Sequence, residues 1–145
     1  MKINEEKIKE AERFQNEMAK LYDERSLGVR IARNSLPDWG IKYFASRSTE
    51  KKLRRIETDI FLAGQRFRDF TISSSDDGYE ISYERMPIRG LNEFARCKRD
   101  FCSKISKFVE SIEVGWILEA EDDSFSFNTA VNKFLNMLKE AIEEE

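Results

Sequence analysis

The chain has 145 residues, 40% of them hydrophobic and 37% charged, with a formal net charge of −3. One domain spanning residues 1–145 fits that length, and eleven Phe, four Tyr and two Trp supply core material that a disordered polyelectrolyte lacks. There is no histidine, which removes the Ser-His and Cys-His nucleophile pairs and every histidine-containing zinc site.

The N-terminal stretch Met1-Lys2-Ile3-Asn4-Glu5-Glu6-Lys7 has no apolar h-region, so no secretory signal is expected. A helix is predicted from about Ile3 to Arg25. Ile8, Ala11, Phe14, Met18, Leu21 and Tyr22 gather on one side at 100° per residue, with Gly28 as the stop signal. From Val29 to Ser46 the pattern weakens, allowing a short helix over 30–34. Leu36-Pro37-Asp38-Trp39-Gly40 then reads as a turn.

A second helix is predicted to begin near Ser48 with Leu53, Ile56, Ile60, Ala63 and Phe67 inward. Phe61 and Leu62 point away from that stripe, which implies a second buried side or a partner. Phe70-Thr71-Ile72-Ser73 and Tyr79-Glu80-Ile81-Ser82-Tyr83 alternate around Asp77-Gly78, a hairpin signal. Met86-Pro87-Ile88-Arg89-Gly90 reads as a chain break.

A third helix follows from about Leu91, with Phe94, Cys97, Phe101, Ile105, Phe108, Val109 and Ile112 on one face. The stretch 114–127 reads as a second small hairpin in preference to a helix extension. A last helix spans about Asn128–Glu143, with Val131, Phe134, Leu135, Leu138, Ala141 and Ile142 together and a frayed, glutamate-rich end. The fold class expected is therefore α+β: a helix-rich single domain ordered α-(loop or short α)-α-ββ-α-ββ-α, with small antiparallel hairpins packed on amphipathic helices. In architecture alone, this order resembles that of small dimeric chaperones of secreted effectors. The resemblance implies a binder of a partner polypeptide and assigns no residues.

Little catalytic chemistry is legible. Cys97 and Cys102 lie five apart, about 140° around a helix, too far for a disulfide. Both read as small buried apolar residues in a reducing compartment. Asp76 and Asp77, and the acids at 119–123, lack the spacing of a calcium loop and read as turn chemistry. No glycine-rich phosphate loop is present. No catalytic residue, cofactor or metal is assigned, and a non-enzyme is expected.

Charge is uneven. Residues 25–68 hold eleven basic side chains against four acids, whereas 100–145 hold four against eleven. Arg47, Lys51, Arg55 and Arg66 on the second helix are the candidates for a polyanion or nucleic-acid site, with Trp39, Tyr43 and Phe44 nearby for base stacking. A pI of about 5.3 stands against that reading, and the basic stretch could instead pair with the acidic C-terminal third. Trp39, Phe61, Leu62 and Trp116 are the candidate protein-interface residues. The function expected is a non-catalytic, cytoplasmic adaptor or regulator acting through protein–protein contacts as a homodimer, with no membrane partner. The alternative is a nucleic-acid-binding regulator using the basic segment 25–68.

Overall fold

In a computed structural model, residues 1–34, 47–111 and 127–143 are described. The element order is β1 (Lys2–Ile3), α1 (Glu5–Asn34), α2 (Arg47–Arg66), β2 (Phe70–Ser75), β3 (Gly78–Tyr83), β4 (Met86–Pro87), α3 (Leu91–Ser111), α4 (Phe127–Ala141) and β5 (Ile142–Glu143). This is the expected α+β class. The second hairpin expected over 114–127 lies outside the described residues, save that Phe127 opens α4 as a fully buried helical residue.

Helix α1 departs from expectation at both ends. Its start is set by Asn4, whose side-chain oxygen accepts the Lys7 N–H at 3.0 Å. The preceding Lys2–Ile3 is a strand instead of a first helical turn. Gly28 does not stop the helix, which continues six residues further to Asn34. An interior Gly costs about 1 kcal/mol relative to Ala. Side chains beyond the first turns hold α1 against α2: Ser26 Oγ donates to the Glu57 carbonyl at 3.0 Å and Arg30 pairs with the Glu57 carboxylate at 2.8 Å.

The two helices run antiparallel, because Ser26 faces Glu57 while Tyr22 and Ala19 face Gly64. Gly64 is required by that approach: a Cβ there would lie 2.9 Å from Tyr22 Cβ. Strands β2 and β3 pair from Phe70↔Tyr83 to Ser75↔Gly78, so the connection is only Asp76-Asp77, shorter than expected. Gly78 then takes φ +115°. The segment expected as a chain break forms strand β4, joined to β3 through Glu84 and Arg85 at φ 48° and 71°. Positive φ at both central residues is what a two-residue hairpin requires, and here it is met without Gly or Asn.

The end of the last helix, expected to fray, is paired as far as Glu143, and Glu144 and Glu145 lie outside the described residues. Ile142 and Glu143 form β5 against β1, with Ile3↔Ile142 and Lys2↔Glu143, and Asn4 N–H donates to the Ala141 carbonyl at 2.8 Å. One contiguous core lies between α1, α2, α4, the hairpin and α3. Phe70 sits at its centre, its ring against those of Tyr83, Phe94, Phe101 and Phe134 at 4.7–6.5 Å. Gln15, itself buried, donates through Nε2 to the carbonyls of Phe67 and Phe70 and so ties α1 to the α2–β2 turn. Among the described residues, no helix is long and apolar enough to cross a membrane.

Candidate functional site

The large apolar side chains left exposed among the described residues are Met1, Met86 on β4, and two pairs on α1 and α2. Leu27 and Ile31 are 47% and 56% exposed, and Phe61 and Leu62 are 46% and 37% exposed. Helical geometry explains the second pair. With Ile60 facing the core, Phe61 lies about 100° and Leu62 about 200° around the axis, off the buried stripe of Ile56, Ile60 and Ala63. The described residues do not bury them. Trp39 and Trp116, the other expected interface residues, lie outside the described residues.

The basic candidates separate. Lys51 and Arg55 are exposed and lie within about 40° of Leu62 on α2, giving that face a mixed apolar and cationic character. Arg66 is half-buried, with Nε 3.6 Å from the Asp69 carboxylate. The side chain of Arg47 lies outside the described ones. Arg68 pairs with Asp23 at 2.8 Å and Arg30 with Glu57, so the partners of Arg30, Arg66 and Arg68 do not belong to the acidic C-terminal third.

Helices α1 and α2 also carry buried polar atoms in poor surroundings. Tyr22 Oη, Asp23 Oδ1, Asp59 Oδ2 and Arg66 Nε are buried without a hydrogen-bond partner. Burial pushes the Tyr22 phenol up to about 12 and raises the Asp59 carboxyl, the latter partly offset by Arg55.

Where β3 and β4 meet α3, Tyr and Lys side chains converge with carboxylates. Tyr83 Oη donates to Asp100 at 2.7 Å. Lys104 pairs with Asp100 at 3.2 Å and with Glu84, and its ammonium lies 5.6 Å from the Tyr83 ring centre. Such a group could act as an acid–base centre if the phenol or the amine were easily deprotonated. The shifts run the other way. Burial, then the Asp100 hydrogen bond, holds the Tyr83 phenol well above its ordinary value, and Glu84 raises the Lys104 ammonium. The Tyr83 bond in turn lowers the Asp100 carboxyl, whereas burial raises that of Asp69. These groups clamp the β3–β4 turn onto α3. The Asp69 carbonyl accepts the Glu84 N–H at 3.1 Å, and the clamp holds two residues in a left-handed conformation that L-side chains disfavour.

Both cysteines are free. Cys97 is half-buried, and burial raises its thiol. Cys102 corrects the expectation of a buried residue, since it is exposed on a flank of α3 that the amphipathic pattern assigned to neither face. Asp76 and Asp77 form an exposed hairpin turn, and the acids at 119–123 lie outside the described residues. Among the described residues, no three His, Cys, Asp or Glu side chains are grouped as around a metal ion. Comparison with protein-family models, with curated proteins and with solved structures finds no match to this chain.

Proposed function

We propose that this protein is a non-catalytic adaptor or regulator that works through protein–protein contacts, and that it self-associates as a homodimer through the outer face of α1 and α2. The observation that carries this reading is that Phe61 and Leu62 stay exposed where the described residues have packed. Large apolar side chains in water are an interaction signal when they recur along one helical pair, as these do with Leu27 and Ile31. A two-fold contact needs only one such patch, because each copy supplies the same surface to the other. The ionisation of the Tyr83–Lys104 group supports the non-catalytic part, since both side chains are held in their protonated forms.

Sedimentation equilibrium across a wide concentration range tests the reading. The apparent mass is expected to rise toward that of two chains. A monomer at every concentration would contradict self-association. In parallel, a labelled single-stranded oligonucleotide is expected not to bind at low salt. Binding that weakens steeply as salt rises would instead support a polyanion site at Lys51 and Arg55.

A further inference from the structure

Three adjoining hollows follow one flank of α3 where α4 runs antiparallel beside it. Their volumes are about 380, 700 and 250 Å³. Leu91 lines the first and second, and Cys102 the second and third, so they form one trough. The α3 residues along it, Leu91, Ala95, Lys98, Cys102 and Val109, repeat at intervals of three, four and seven, which keeps them on one side of the helix. At about 1.5 Å per residue the trough is about 27 Å long, room for a helix of about 18 residues. Phe94 forms part of the floor of the largest hollow.

The walls of that hollow are cationic. Lys98 and Arg99 stand on α3 and Lys139 on α4, and no acid lines the space between them. Among the described residues these three cations have no ion-pair partner, whereas Lys104, on the opposite flank of α3, has two. An apolar floor between unpaired cations is complementary to a helix with apolar residues along one stripe and carboxylates beside it. A lipid surface would call for apolar side chains projecting from a convex face, not recessed between two helices.

We propose that the α3–α4 trough receives an acidic amphipathic helix from a partner polypeptide. The site uses none of the exposed α1–α2 residues and stands apart from the self-association reading.

Fluorescence anisotropy on the full chain tests it. The probe is a fluorescein-labelled peptide of about 18 residues with Leu at helical three- and four-residue spacing and Glu at the flanking positions. Saturable binding is expected. The Lys98→Glu/Arg99→Glu/Lys139→Glu variant should bind at least about tenfold more weakly, as should Ala95→Trp, which fills the hollow. Phe61→Asp should bind as the wild type does, which separates this site from the α1–α2 face. Circular dichroism checks folding, and if the triple variant fails to fold, Ala95→Trp and the peptide series still decide. Equal binding of a peptide with Lys in place of Glu, unchanged binding by Ala95→Trp, or binding to phosphatidylglycerol vesicles but not to the peptide would each overturn the proposal.

Discussion

The two halves of α1 are built from similar residues and do different things. From Ile8 to Ser26 its apolar side chains are buried or, for Phe14 and Leu21, partly buried, and the helix packs on α2 and α4, with Ile8, Ala11 and Tyr22 almost fully out of water. From Leu27 onward the helix still runs beside α2, yet Leu27 and Ile31 stand about half exposed. The difference lies in partners, since among the described residues only the first half is sandwiched. The second half has a described neighbour on one side, and no described residue covers an apolar side chain on the far side. On the proposed reading, stability and binding are carried by separate stretches of one helix, and substitutions can address them one at a time.

The largest effect is expected in the sandwiched region. Phe70→Ala removes a ring that touches four others and should cost about 3–5 kcal/mol in urea unfolding. Gly64→Ala places a methyl group 2.9 Å from Tyr22 Cβ. The helices must shift apart, with an expected loss of about 1–2 kcal/mol despite the better helix propensity of Ala.

Tyr22→Phe goes the other way, because it deletes a buried hydroxyl that has no partner. A gain of about 1 kcal/mol is expected. The same variant has a pH signature. With its phenol raised to about 12, folded Tyr22 keeps a proton that the unfolded chain releases near pH 10. Wild-type stability should therefore fall as pH rises from about 10 to 12, by on the order of 2 kcal/mol from this group, and Tyr22→Phe should lose less. A parallel pH dependence in the two proteins would show that Tyr22 titrates normally.

The smallest effect belongs to the exposed stretch. Gly28→Ala meets nothing within 4 Å and should stabilise by about 0.5–1 kcal/mol. Two Gly→Ala changes of opposite sign would sharpen the contrast between a close helix approach and an open one. A loss at Gly28 would break it.

Helices α2, α3 and α4 were readable from apolar spacing, because their buried residues follow one stripe and their faces are strongly unequal. The β2–β3 hairpin was readable from alternation around Asp77-Gly78. Pairing between Ile3 and Ile142 was not, since two-residue strands carry no periodicity and the contact joins opposite ends of the chain. The β4 turn escaped because Glu84 and Arg85 are not turn residues by type; the Lys104 clamp holds them there. Gly28 misled because a helix stop needs the chain to turn, and α2 supplies contacts that keep α1 going. Phe61 and Leu62 were visible as departures from the α2 stripe. The trough along Leu91, Ala95 and Cys102 depends on which flank of α3 the helix α4 leaves open, and spacing within α3 alone does not say.

The most direct measurement of the central claim is molar mass by light scattering, on wild type and Phe61→Asp/Leu62→Asp side by side at matched concentrations. The wild type is expected to weigh in as a dimer and the double variant as a folded monomer, with urea unfolding of the monomer changed little because both side chains already face water. Equal masses for the two proteins would contradict the assignment of that face as the dimer contact.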